Sequence, residues 1–101
     1  SSSAYLGITA QTVTDEYTKG FGMPSGVNIT AVSSGSPAEK CGLQTGDIIC
    51  EFNGKTVTDI TELQKMIAKL QPGDTVKIGY YRYNSGNYEQ MSVDAVLEAK
   101  N

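Results

Sequence analysis

The sequence has no histidine in its 101 residues. That removes the most common general base, any serine–histidine pairing and every imidazole metal ligand. Cysteine is scarce: Cys41 and Cys50 are the two present, and a pair does not make a zinc site by itself. Each stands where a small apolar residue would serve, one near a predicted helix end and one in a predicted strand. Two buried free thiols are the expectation, with a Cys41–Cys50 bridge as the alternative. Charge is limited too, with 8 Lys and Arg against 11 Asp and Glu, a net of −3. A mildly acidic surface argues against nucleic acid or an anionic membrane as the main partner. No apolar run approaches the ~20 residues of a membrane span, so direct insertion is not expected. No secretory signal is present, and any targeting segment would lie outside this stretch. Nothing here calls for a cofactor or a metal.

What is present fits one domain, long enough to bury a core without disulfides or metal. Residues 1–4, opening on three serines, read as a linker, 5–99 as the domain and 100–101 as a tail. The whole reads as a piece of a larger protein. Tyr5-Leu6-Gly7-Ile8 opens it, running into Thr9-Ala10-Gln11. Gly7 has no Cβ, so another chain can approach its backbone. Successive N–H groups in such a turn can converge on an anion, and the strand behind can offer an unpaired edge. Together these are the parts of a C-terminal tail receptor. A plain first strand, Tyr5–Thr12, containing one glycine is the simpler reading of the same residues.

Thr14 is placed to cap a short helix, with Asp15 and Glu16 in its first turn. Phe21 is expected to face the core, and Gly20, Gly22 and Pro24 end the element. Residues 26–32 predict a strand with Val27, Ile29 and Ala31 on one face. Asn28-Ile29-Thr30 matches a glycosylation sequon, but within a strand it is read as structure. Ser36 and Pro37 begin a helical turn that Gly42 stops, and Leu43 plugs the core. Residues 48–52 predict a strand, Asn53-Gly54 a hairpin turn, and 55–57 a short return.

Asp59 or Thr58 caps the longest helix, 60–70, with Ile60, Leu63, Met66, Ile67 and Leu70 at helical spacing. Glu62, Gln64, Lys65 and Lys69 are expected on its outer face, and Glu62 and Lys65 are spaced to pair weakly. Two alternating strands, 75–83 and 88–98, flank a loop at 84–87. Tyr80, Tyr81, Tyr83 and Tyr88 gather around that hairpin, as cross-strand packing or as a second contact surface. The pattern predicts an α+β domain, a small partly open β-barrel of five to six strands capped by two helices.

The order of pieces resembles a known family. Tyr5-Leu6-Gly7-Ile8, Gly26-Val27, Ser36-Pro37-Ala38 and Cys41-Gly42-Leu43 are followed by Gly46-Asp47-Ile48-Ile49, Phe52-Asn53-Gly54, a helix and Pro72-Gly73-Asp74. Over nearly the whole chain this is similar to a PDZ domain of the bacterial HtrA/DegP type, the peptide-binding module that follows a trypsin-like serine protease domain. The resemblance implies a ligand lying as an extra antiparallel strand between the opening turn and the long helix. Backbone N–H groups of Leu6, Gly7 and Ile8 would hold its terminal carboxylate, and Thr9, Ala10 and Gln11 would pair with its main chain. Tyr5, Leu6, Ile8, Ile67 and Leu70 would line the pocket for its last side chain. Leu63 would face the third-last residue. Ile60 and Met66 are expected in the core, although a helix rotated by one position would bring Met66 into the groove.

Two departures from the family pattern matter. Many eukaryotic members carry a histidine at the start of this helix, and here the matching place is apolar, at Leu63. An apolar preference at both the last and third-last ligand positions follows. No Lys or Arg precedes Tyr5, so carboxylate binding rests on backbone donors, and dissociation constants on the order of micromolar, about −8 kcal/mol, are expected.

The function so implied is capture of C-terminal tails of misfolded envelope proteins, delivering them to an attached serine endopeptidase or regulating it. The parent would work outside the cytoplasm, in periplasm or cell envelope, with its triad outside this chain. The fragment itself is not expected to be an enzyme. Without histidine it cannot hold a Ser-His-Asp triad, the cysteines lack a neighbouring base, and Asp15 and Glu16 suit a helix N-terminus. The alternative is a docking or gating module of another parent, such as a tail-processing protease, an intramembrane metalloprotease or a secretion component. A scaffold for internal segments, which needs no carboxylate site, is a further reading.

Overall fold

The computed structural model describes residues 3–99; residues 1–2 and 100–101, where most of the expected linker and tail fall, lie outside the described residues. In chain order the elements are β1 (Ala4–Tyr5), β2 (Ile8–Thr12), α1 (Asp15–Gly20), β3 (Val27–Val32), α2 (Pro37–Cys41) and β4 (Ile48–Phe52). They continue with β5 (Lys55–Thr56), α3 (Ile60–Ala68), β6 (Thr75–Asn84), β7 (Asn87–Val96) and β8 (Glu98–Ala99). The main sheet runs β2-β3-β4-β6-β7, with β5 paired to β4, and β1 pairs separately with β8. All pairings are antiparallel. The sheet is not closed: β2 is an edge strand.

The core is one cluster built from Leu6, Val27, Ile29, Ile49, Phe52, Leu63, Ile78 and Tyr80 with their neighbours. Alternation in the paired strands puts Val76, Ile78 and Tyr80 inside, as their period of two requires. The glycine-stopped turn is built as expected: Ser36 Oγ accepts from Glu39 N–H at α2, and Gly42 closes it at φ 95°. Asp59, not Thr58, caps α3, its Oδ1 accepting from Glu62 N–H at 2.8 Å. Glu62 reaches back to Thr58 N–H at 3.2 Å, so no Glu62–Lys65 ion pair forms among the described residues. Its carboxylate is already engaged across the cap.

Several expectations are corrected. The predicted first strand is broken at Leu6-Gly7, because Gly7 takes φ 87°, a left-handed conformation that ends a strand. Ala4, grouped with the linker in the sequence reading, is a buried strand residue opposite Ala99. The last strand likewise breaks after Val96. Leu97 is tied into the Gly73-Asp74 turn by Gly73 N–H to Leu97 O at 2.8 Å and Leu97 N–H to Asp74 O at 2.9 Å.

Ala31 is exposed and Val32 packs toward the core, the reverse of the predicted alternation. The pairing steps from Thr9↔Ala31 to Ala10↔Ile29, so Thr30 is an extra residue in β3, and a bulge flips every side chain beyond it. Phe21 is 75% exposed rather than buried. Helix α1, the short helix expected after Thr14, has six residues and none buried, so it stands apart from the two capping helices α2 and α3. Phe21 packs on Tyr17 instead, ring centroids 5.9 Å apart. Tyr83 and Tyr88 form a cross-strand T-shaped pair at 5.2 Å, whereas Tyr80 is core. Cys41 and Cys50 are both free and half-buried. Burial pushes both thiols up, which keeps them protonated.

Candidate functional site: a groove between an edge strand and a helix

Between β2 and α3 lies an open groove of about 660 Å³. Its strand side is formed by Tyr5, Leu6, Gly7, Ile8, Thr9 and Ala10, and its helix side by Ile60, Leu63, Gln64, Ile67 and Ala68. No charged side chain lines it among the described residues. The two walls are fastened at one end, where Thr12 Oγ1 accepts from Ile60 N–H at 3.0 Å. That bond sets the direction of α3. Its first residue lies beside the end of β2, and its last turn lies beside the opening turn.

The opening turn is fixed from behind. Leu6 C=O accepts from Ala38 N–H at 2.9 Å, and Gly7 C=O accepts from Ser33 N–H at 2.8 Å. No peptide bond is cis among the described residues, and in a trans peptide the N–H points opposite to the C=O. With both carbonyls drawn back toward the β3–α2 loop, the N–H groups of Gly7 and Ile8 are turned the other way, toward the head of the groove. Such paired donors suit an anion. Gly7 is required for this arrangement. A Cβ placed on it would lie 2.1 Å from Ser36 Cβ, so α2 abuts the turn with no room for a side chain.

The main chain of β2 divides by alternation. Gly7 accepts from Ser33, Thr9 O accepts from Thr30 Oγ1 at 3.0 Å, and Val13 N–H donates to Gly26 O at 2.9 Å. Odd-numbered residues therefore turn their polar groups toward β3. Ile8, Ala10 and Thr12 are left with main-chain groups on the free edge. The bulge lies on β3, so the alternation along β2 is unbroken.

The residues singled out from sequence are thus distributed unevenly. Tyr5, Leu6, Ile8 and Ile67 come together with Ala68 at the turn end. Leu6 contributes its carbonyl to the α2 anchor and its buried side chain to the groove floor. Leu63 is 1% exposed and is floor rather than wall. Leu70 falls beyond the end of α3, is half-buried against the core and does not line the groove. Among the strand residues, Ala10 faces the free edge, whereas Thr9 and Gln11 bond toward β3. Met66 packs against the core. Ile60, expected only in the core, also lines the groove; so do Gln64, expected on the outer face, and Ala68, which was not singled out. Their signal was in the spacing: 60, 64, 67 and 68 share one helical face.

Comparisons with known proteins identify the family and the fold. A family model described as "PDZ domain" matches residues 4–95. A probable periplasmic serine endoprotease, DegP-like, from Marinomonas sp. (strain MWYL1) is 35% identical over 101 residues, covering 98% of this chain and 21% of that protein. A protein of the same description from Bartonella henselae is 33% identical, covering 96% of this chain and 20% of its own length. This chain therefore spans about a fifth of these curated relatives. Among solved structures, the HtrA3 PDZ domain bound to a phage-derived ligand (FGRWV) superposes with a TM-score of 0.79. It is 26% identical, with 97% of this chain and 88% of that one covered. The HtrA-type protease AlgW with a decapeptide shares the fold at TM-score 0.83 and 22% identity, covering 99% of this chain and 30% of that one.

Proposed function

The chain belongs to the PDZ domain family, with relatives of the HtrA/DegP type, and from that premise we propose that the β2–α3 groove captures the C-terminal tails of other proteins by strand addition. The observation that carries the reading is the back-bonded turn. With the carbonyls of Leu6 and Gly7 held by Ala38 and Ser33, the N–H groups of Gly7 and Ile8, flanked by that of Leu6, are donors for a terminal carboxylate. The ligand strand runs antiparallel to β2 and pairs with Ile8, Ala10 and Thr12, the residues whose main chain is unpaired. Its last side chain enters the apolar recess of Tyr5, Leu6, Ile8 and Ile67, so the last residue is apolar. The peptide seen on the HtrA3 domain ends in valine, which is consistent with this chemistry.

In the parent, tail capture delivers substrate to, or regulates, a serine endopeptidase domain joined to this one. The curated relatives are named periplasmic endoproteases, which supports an extracytoplasmic setting and a role in protein quality control there. Affinity rests on backbone donors and one pocket, so dissociation constants on the order of micromolar are expected.

Ile67→Glu tests the pocket. It sets a carboxylate against the ligand's own carboxylate and removes the apolar wall, so affinity for a tail peptide ending in valine falls more than tenfold. Burying one aliphatic side chain is worth about 1.5–3 kcal/mol, and the like-charge contact adds to the loss. Unchanged affinity in a calorimetric titration would place ligand binding elsewhere.

A further inference from the structure

We infer that the cleft between α1 and the tip of the β6–β7 hairpin is a separate docking surface, which takes a neutral proline-rich segment of a partner protein in the polyproline II conformation. It lies outside the β2–α3 groove and does not depend on tail capture.

The cleft has a volume of about 480 Å³. Tyr17, Phe21 and Met23 line it from the α1 side, and Tyr83 and Tyr88 from the hairpin. Gly22 and Gly86 complete the lining and bring no side chain to fill it. Each side holds a packed pair of rings, Tyr17 and Phe21 with centroids 5.9 Å apart and Tyr83 and Tyr88 at 5.2 Å. The core does not account for these rings. No residue of α1 is buried, and Tyr17 is 47%, Phe21 75% and Tyr83 60% exposed. Clustered apolar surface of this kind marks an interaction site.

Size, charge and main chain define the occupant. An aromatic side chain buries 150–250 Å², so at these exposures the three rings leave about 300–450 Å² open. That is roughly half, or less, of the ~800 Å² each partner gives to a standard interface, and it suits a short segment rather than a folded face. Among the described residues no charged side chain lines the cleft, so the segment is neutral. Its walls are a helix and the face of a hairpin, and neither presents a strand edge. An extended strand docked here would find no ladder for its N–H groups. Polyproline II needs none, because its main chain stays solvated, and each proline removes an N–H. Proline-rich segments dock in aromatic-lined grooves, and the hydroxyls of Tyr17, Tyr83 and Tyr88 are donors for their carbonyls. A second copy cannot supply the segment, since the chain's three prolines, Pro24, Pro37 and Pro72, are widely separated.

The test is an NMR titration of the 101-residue chain with an acetylated and amidated peptide of three Ala-Pro-Pro repeats. Its blocked ends keep it out of the carboxylate site. A control of equal length carries Ser in place of every Pro. The expected result is saturable shifts confined to residues 17–23 and 83–88 with the proline peptide, and none with the control at millimolar concentration. Phe21→Ala and Tyr83→Ala each remove one exposed ring, and each weakens binding about three- to tenfold. Unchanged urea midpoints report that both variants are folded. Absence of shifts, equal shifts with the control, shifts confined to the β2–α3 groove, or unchanged affinity in both variants overturns the proposal. So does movement of the same residues when the chain alone is concentrated, which gives the cleft to a second copy.

Discussion

Gly7→Ala lowers stability by about 3 kcal/mol and abolishes tail binding. Two costs combine. A non-glycine residue held at the φ of 87° seen here loses roughly 1–2 kcal/mol. The new Cβ also lands 2.1 Å from Ser36 Cβ, and this is not the end of a flexible chain that can swing aside. Ser36 is fully buried, and its hydroxyl caps α2 through Glu39 N–H at 3.2 Å. Relief requires α2 to move, at a cost of about 1–3 kcal/mol for overpacking. Movement of α2 takes Ala38 N–H with it, and the carbonyl anchor that aims the carboxylate donors is lost. Gly22→Ala is the control. Its φ is also positive, at 68°, but nothing among the described residues lies within 4 Å of a new Cβ, so only the backbone cost of roughly 1–2 kcal/mol applies. Urea unfolding of the two variants separates strain from overlap. Equal losses at both positions would mean that α2 does not press on the turn.

Asp47→Ala, away from the groove, costs about 3 kcal/mol. Asp47 is 2% exposed. Its Oδ1 accepts from Arg82 Nε at 2.9 Å, and its Oδ2 accepts from Arg82 Nη2 at 2.7 Å and from Gln44 N–H at 2.9 Å. Arg82 Nη2 also donates to Gly42 O at 2.9 Å, and the guanidinium lies 5.3 Å from the centre of the Tyr80 ring. One forked cation thus ties the glycine stop of α2 and the turn before β4 to β6. Its hydrogen bonds to Asp47 raise the Arg82 pKa further. Removing one partner of a buried pair costs about 3–5 kcal/mol, because the other is left uncompensated. The Arg82 side chain keeps 26% of its surface, so water recovers part of that, and the lower end applies. The exposed Lys40–Glu98 pair, at 2.7 Å, is of the kind worth little. A loss below about 1 kcal/mol in denaturant titration of Asp47→Ala would show the fork to be ornamental.

The parts of this domain that were legible in the sequence are those governed by local chemistry. Asp59, Ser36-Pro37 and Gly42 mark their helices through caps that depend on a few residues. Asn53-Gly54 marks its hairpin in the same way, and Asn53 does take φ 54°. What sequence could not give is the phase of a pattern. The bulge at Thr30 leaves no local signature in β3, yet it reverses the faces of Ala31 and Val32. The apolar stripe of α3 is wide enough to serve core and groove together, so periodicity did not separate Leu63, which is floor, from Ile60, which is partly wall. Gln64 reads as outer face because it is polar, although it shares the face of Ile60 and Ile67. Phe21 looked like core by composition, but the six-residue helix before it has no buried face to deliver it there. Along β2 the residue type is equally uninformative. Which main-chain groups are free depends on the parity set by Ser33, Thr30 and Gly26 on the neighbouring strand.

The most direct measurement is a matched pair of titrations with one peptide ending in an apolar residue, carrying either a free carboxylate or a terminal amide. The carboxylate accepts at least two charge-assisted hydrogen bonds from the Gly7 and Ile8 N–H groups, each worth about 1.5–3 kcal/mol. The free acid is therefore predicted to bind at micromolar concentration and the amide about a hundredfold more weakly. Equal binding of both forms would contradict the account. It would mean that the back-bonded turn serves only the fold, and that the groove takes internal segments.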